Sequence, residues 1–370
     1  MSSADAAPAA PLAWTPPPGW VPTPQGWVPP EALAPVFAPS EPVPFHRLFR
    51  TLPRYRWWRP LVAVLLAAVY YLVLSIAVSL VLFAIGVATG DIRIGSVGEA
   101  LTDVSALAQI DAASPFSITF ALTSIAIMLP AVQLALLTIG VRPTSVRHSV
   151  AFRLRWRWLL ISLGPASVVL ALNLAIGFLV PGLISGEWPA PPATELGQFL
   201  LCGAIILVLT PFQAAAEEYV FRGLLPQAIG SWVRFFPVGA VVSTLGFAAL
   251  HAYDFWGLVD VFLFGFAASL VVWRTGGLEA GIAYHSVNNI ASFLLLASGV
   301  FGTTVNESQT AGPIGPAISL VTLALWVFWM SWLARRVARL GAYAPPAPAL
   351  AAPPVVSGSG VNPPPVDLDA

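Results

Sequence analysis

Residues 61–86 read LVAVLLAAVYYLVLSIAVSLVLFAIG, a run without one charged side chain. A bilayer whose hydrocarbon core is about 30 Å thick is crossed by about 20 apolar residues of helix. In lipid the backbone must satisfy its own hydrogen bonds, so such a run is read as a transmembrane helix. Seven further apolar runs follow, at about 114–140, 158–182, 197–216, 237–253, 255–273, 277–299 and 313–334. The expected fold is therefore an all-α polytopic membrane protein of about eight transmembrane helices. The first run starts about 60 residues into the chain and is longer than a signal-peptide core, so it is expected to be retained.

Composition supports lipid as the solvent. Of 370 residues 57% are hydrophobic and 9% charged, against about 25% charged in ordinary soluble chains, and mean hydropathy is +0.81. This composition argues against a soluble enzyme. Seventeen acids balance 17 bases, which leaves no basic patch for nucleic acid. The single cysteine, Cys202, permits neither a disulfide framework nor a cysteine metal cage. Every basic residue is Arg, read here as the coding bias of a bacterial source.

Proline sets off the tails: 13 of the 36 lie in residues 1–45 and another 8 in 343–370. Such segments bury too little apolar area to offset their ordering entropy, so both ends are expected to be disordered. Gly19-Trp20-Val21-Pro22 recurs as Gly26-Trp27-Val28-Pro29, either a motif for an aromatic-lined groove or incidental repetition; tail partners stay unassigned. The expected organisation is a Pro-rich tail over 1–57, three spans within 58–195, a chemical core over 196–299, a last span within 300–342 and a second tail over 343–370.

Arginine is retained on the cytoplasmic side. Arg47, Arg50, Arg54, Arg56 and Arg59 precede the first span, Asp91, Glu99, Asp103 and Asp111 outnumber Arg93 in the next loop, and Arg142, Arg147, Arg153, Arg155 and Arg157 fill the one after it. Glu187 and Glu195 follow span three, Arg222 and Arg234 span four, Arg274 span six, and Arg335, Arg336 and Arg339 span eight. The alternation predicts a multi-pass plasma-membrane protein with both termini cytoplasmic. Trp57, Trp58, Trp156 and Trp158 fall where interfacial aromatic belts are expected.

An ionisable group at the centre of a span costs about 2.5–3.5 kcal/mol on insertion scales, so each is a functional candidate. They are concentrated in spans four to seven and their edges: Glu217, Glu218, Arg222, His251, Asp260, Glu279 and His285. On a helix Glu218 and Arg222 are i,i+4 partners in the better order for an ion pair. Glu217 points about 100° away and keeps less of that partner, as a general base requires. Otherwise the cluster marks the end of a span. His251 closes an apolar run one turn after Phe247; otherwise it is an interfacial imidazole paired with Asp254. His285 and Asn289 share a helical face, preceded by Gly277 and Gly281, which permit close helix approach; otherwise they are interhelical glue. His46 and His148 lie beside arginines in loops and are expected to be solvated. Together the set supplies a base, a second imidazole to orient water and groups to hold an oxyanion, which suits acyl hydrolysis.

Glu217-Glu218…Arg222, Phe247…His251 and His285…Asn289 have the pattern EExxxR, FxxxH, HxxxN. In this order the triple resembles the signature motifs of the CPBP family (CAAX proteases and bacteriocin-processing enzymes), which includes the type II CAAX prenyl endopeptidases. The resemblance covers about 197–299. It implies an intramembrane endopeptidase in which Glu217 and His251 activate water and His285 and Asn289 stabilise the oxyanion, with Glu218, Arg222 and Phe247 in support. The implied partners are the lipid bilayer and a membrane-associated peptide or protein substrate. Prenylated CAAX proteins are the best-known target of the family, and another membrane-associated peptide is expected in a bacterial host.

The family admits a glutamate-only or a metal-dependent mechanism. Two His and a carboxylate suffice for a catalytic zinc, though the HExxH helix is absent; with zinc, its ligands would be Glu217, His251 and His285. A non-catalytic bacteriocin-immunity or sensory protein that keeps the motif for structure is the alternative, and a transporter a third, for which no repeat of the two halves is visible.

The depths of these residues conflict on plain hydropathy. Glu217 lies near the cytoplasmic end of span four, whereas His251 is about 14 residues, or ~21 Å, into span five. They meet only if span four continues through Leu224-Leu225, if span five tilts, or if the site opens into water. A polar cavity between spans four, five and seven is expected, with Asp254, Asp260 and Glu279 as further candidates for its lining.

Overall fold

A computed structural model describes residues 20–23, 26–28, 43–52, 55–92, 110–186, 188–304, 312–337 and 342–343. Residues 43–343 form one compact unit, and 1–42 with 344–370 the other. In the second unit β1 (Val21–Thr23) pairs antiparallel with β2 (Gly26–Val28), with Pro22 opposite Trp27. Val21 and Pro22 of the first repeat and Gly26–Val28 of the second thus lie in paired strands within the stretch expected to be a disordered tail, in keeping with the strand preference of Val, Thr and Trp. The rest of both Pro-rich ends lies outside the described residues, as does the acidic segment holding Arg93, Glu99 and Asp103.

The main unit opens with β3 (Val43–Pro44), paired with β4 (Ala342–Tyr343), and a 3₁₀ segment, Phe45–Thr51. Phe45, Leu48 and Phe49 are buried, so this part of the stretch read as tail belongs to the core. Ten helices follow. They are α1 (Arg59–Thr89), α2 (Pro115–Ala126), α3 (Met128–Thr138), α4 (Trp156–Ser185), α5 (Leu196–Glu218), α6 (Leu225–Gly230), α7 (Phe236–Ala248), α8 (Phe255–Thr275), α9 (Glu279–Ala297) and α10 (Ile314–Val337). Their ends follow local chemistry. Pro60 and Pro115 start α1 and α2, where a missing N–H costs nothing. Gly90 at φ 84° closes α1 in the left-handed cap that glycine adopts freely.

Among the described residues six rods are long and apolar enough to cross a membrane, at 59–89, 115–138, 156–185, 196–230, 255–275 and 314–336. All eight expected runs are helical, but among the described residues two do not qualify as spans. α7 has 13 residues, about 20 Å of helix against a core of about 30 Å. α9 carries Glu279, His285, Asn288 and Asn289. Hydropathy extends run five through residues 249–253, where the backbone is no longer helical.

Inter-loop hydrogen bonds sort the connections to two ends of the bundle. Val150 N–H donates to Gly276 O (2.8 Å), Leu278 N–H to His148 O (3.0 Å) and Arg50 Nη1 to Ser231 O (3.0 Å). At the other end Ala112 N–H donates to Thr303 O (2.9 Å) and Ala193 N–H to Ser298 O (2.9 Å). Inside, α5 packs on α2 and α9, α9 on α4, and α8 on α7 and α10. Leu65, Leu72 and Leu80 of α1 are each at least 60% exposed. So large an apolar face requires lipid around it.

Candidate active site

The depth conflict disappears in the helix that carries Glu217. α5 runs through a π-helical turn, Tyr219–Leu224, directly into α6, giving one rod over Leu196–Gly230. Glu217 therefore sits thirteen positions, about 20 Å, inside the Gly230 end of this rod. α7 starts from the same end and rises by about the same distance, which brings Phe247 and His251 level with Glu217. The π turn widens the helix where chemistry is concentrated, a frequent location for such bulges. The Ser243 hydroxyl of α7 donates to the Phe221 carbonyl of the turn. Arg222, counted above among the loop charges, is 1% exposed inside the bundle; helix continuation makes it part of the site.

Four ionisable groups meet there. His285 Nδ1 lies 2.9 Å from Glu218 Oε1 and His285 Nε2 lies 3.2 Å from Glu217 Oε2. Arg222 Nη1 lies 3.1 Å from Glu218 Oε1. Glu218 and His285 are buried, and Glu217 is 8% exposed. Buried charges are tolerated when groups of opposite sign are paired, and the two carboxylates here face the guanidinium and the imidazole. The Arg222 Cζ is 4.2 Å from the Phe247 ring centroid and 5.3 Å from that of Phe264, so aromatic faces supply the rest of its surroundings. A Cβ at position 281 would lie 2.5 Å from Glu218 Oε2; the glycine lets α9 approach that carboxylate.

Gln213, one turn before Glu217 and buried, is a member of the site that the sequence reading misses. Its Nε2 donates to Glu217 Oε2 at 2.6 Å, and its Oε1 accepts from Asn289 Nδ2 at 3.1 Å. A carboxylate only accepts, so Glu217 fixes which way the amide faces. Asn289 in turn accepts from Asn288 Nδ2 at 3.1 Å. Asn289 thus reaches Glu217 through Gln213, and its second amide hydrogen is left for another acceptor.

His251 follows α7 in irregular backbone. Its Nδ1 donates to Phe247 O at 2.9 Å, so in the neutral ring Nε2 is the accepting nitrogen. The Phe247 ring lies 4.7 Å from the His251 ring and 5.9 Å from the His285 ring. His251 also lies within electrostatic range of Glu217, His285 and Arg222. All the motif residues are therefore brought together.

The second-tier acids go elsewhere. Asp254 Oδ1 caps α8 at Gly257 N–H (2.7 Å), Asp260 bonds Ser319, and Glu279 clamps Arg155 through Nη2 (2.6 Å), Nε (2.8 Å) and the backbone N–H (2.8 Å). Gln213, His285 and Asn289 surround Glu217 between α5 and α9. The zinc set of Glu217, His251 and His285 is not gathered into a shared three-ligand group in this arrangement, although the bond from His251 Nδ1 to Phe247 O leaves Nε2 as the nitrogen that could ligate. Among the described residues no three His, Cys, Asp or Glu side chains form a metal-holding group.

His46 is buried and His148 half-buried, where solvated side chains are expected. His46 is 6% exposed and its Nε2 bonds Arg234 O at 3.2 Å. His148 Nδ1 meets the Tyr219 hydroxyl of the π turn. Burial, and then the neighbouring Arg147 charge, pull the His148 imidazole down to about 4.

Residues 198–291 match the family model described as Type II CAAX prenyl endopeptidase Rce1-like. All three motifs fall inside that segment, and the resemblance inferred from them holds over it. The long apolar helices support a multi-pass membrane protein, and residues 198–291 are similar to an intramembrane protease-type domain. A 114-residue segment is 30% identical to the uncharacterized protein YyaK of Bacillus subtilis (strain 168), an alignment covering 28% of this chain and 38% of YyaK. No solved structure matches the chain.

Proposed function

We propose that the protein is an intramembrane endopeptidase that hydrolyses a peptide bond of a membrane-associated protein or peptide with water activated by Glu217. The observation that carries this reading is the buried Glu217–His285 pair, with an accepting His251 Nε2 at the same depth. Glu217 removes a proton from water while His251 Nε2 accepts that water's other hydrogen. Once protonated, Glu217 no longer holds the His285 Nε2–H, which turns to the developing oxyanion. Negative charge moves from carboxylate to oxyanion and the total stays constant, so a low-dielectric site stabilises the step with little reorganisation. Asn289 contributes its second amide hydrogen to the oxyanion. On collapse the proton on Glu217 passes to the leaving amine, and the carboxylate is restored. Glu218 and Arg222 hold His285 in place throughout.

On this reading residues 196–299 are the catalytic core, 58–195 and 300–342 are membrane helices around it, and the Pro-rich ends at 1–57 and 343–370 flank it. The arginine-rich end of the bundle faces the cytoplasm, with both termini there, in the plasma membrane. The test is cleavage of a farnesylated CAAX peptide and a panel of membrane-anchored peptides by protein in liposomes made up in ¹⁸O-water. One ¹⁸O in the new carboxylate is expected, with cleavage lost in His251→Ala and His285→Ala. No cleavage of any substrate, or full activity in either variant, would overturn the scheme.

A further inference from the structure

On the far side of α8 from the catalytic cluster, a groove of about 450 Å³ runs between α8 and α10. Phe264 packs on His285, while its neighbour Leu263 lines this groove with Leu270, Leu320 and Val327. The polar residues of the groove gather at one end. Arg274 stands in the last turn of α8, and Ser331 and Arg335 lie one turn apart on a single face of α10. Ser331 is 6% exposed and its hydroxyl has no hydrogen-bond partner. No acidic side chain lines the groove, and among the described residues neither arginine enters a salt bridge.

A buried hydroxyl left unpaired beside two unneutralised guanidiniums is arranged for an anion. The rest of the wall is apolar and lies on two membrane-spanning rods, which calls for a hydrocarbon chain. Leu263 stands eleven positions before Arg274, about 17 Å along the helix. That is close to one leaflet's share of a hydrocarbon core about 30 Å thick. We propose that this groove binds one anionic phospholipid. Its phosphate diester sits between Arg274 and Arg335 and accepts from Ser331, and one acyl chain lies along the apolar wall toward the bilayer centre. Basic pockets between membrane helices recognise anionic headgroups in this way. A zwitterionic lipid would place its ammonium beside two guanidiniums and is disfavoured.

The site is independent of the proposed reaction and can be tested without a substrate. The full-length protein is reconstituted with equal mole fractions of phosphatidylglycerol and phosphatidylcholine, washed in mild detergent and weighed intact by native mass spectrometry. Wild type is expected to retain phosphatidylglycerol at least ten-fold over phosphatidylcholine, and R274Q/R335Q to bring that ratio near one. Ala324→Phe, which fills the groove and leaves the charges, is expected to lower phosphatidylglycerol retention on its own and decides the matter if the double variant fails to fold. Equal retention of the two lipids by wild type overturns the proposal. So does phosphatidylglycerol retention that is unchanged in either variant.

Discussion

Gln213 shows at the scale of one residue how the site is held. Its amide is oriented by Glu217 on one side and Asn289 on the other, so it aims the carboxylate without touching substrate. Gln213→Met keeps the volume and removes both hydrogen bonds. The expected result is a fall in kcat of about ten-fold, the scale of one to two hydrogen bonds, with KM unchanged. Gln213→Met with Asn289→Ala should lose less than the product of the single effects, because both act on Glu217. Steady-state kinetics of the two single variants and the double variant check this; multiplicative losses would separate the residues. Glu217, Glu218, Arg222 and His285 were legible in the sequence because charges in apolar helices are costly. Gln213 was not, because a neutral amide barely disturbs hydropathy and its role depends on α9, 76 positions away.

At the scale of elements, the π turn and the short α7 decide where the motifs meet. Composition marks an apolar run but not where its helical hydrogen bonds stop, so run five reads as a full span and run four as ending near Glu217, whereas the helix continues to Gly230. The extension of the helix to Gly230 was legible only as a condition for the depths to agree. The same turn is tied to the loop before α4 through Tyr219 and His148. His148 titrates at about 4 in the folded protein against about 6.5 unfolded, so the unfolded chain binds the extra proton between these values. Stability therefore falls as pH drops from about 6.5 toward 4. Melting of detergent-solubilised protein should decline across that window, and His148→Gln should flatten the decline. An unchanged pH dependence in the variant would remove His148 from it.

Across the whole molecule the apolar rods were legible, since lipid demands long uncharged helices. Their lateral packing was not, because it depends on small residues such as Gly281 and on pairs far apart in sequence. Arg155 and Glu279 are such a pair, joining the start of α4 to the start of α9. Glu279→Ala leaves Arg155 without its buried partner, and the expected loss is about 3–5 kcal/mol. It should appear as a lower melting temperature in detergent with the helical content of the folded protein retained; a melting temperature equal to wild type would show that the clamp is dispensable. The rods hold Glu217 and His285 together and buried, which is the setting the proposed reaction requires. The most direct measurement is the hydrolysis rate of a cleaved membrane-anchored peptide by wild type and by Glu217→Gln, matched for folding by circular dichroism. Loss of the base should reduce the rate by about 10²–10⁴-fold, whereas a rate within two-fold of wild type would contradict the account.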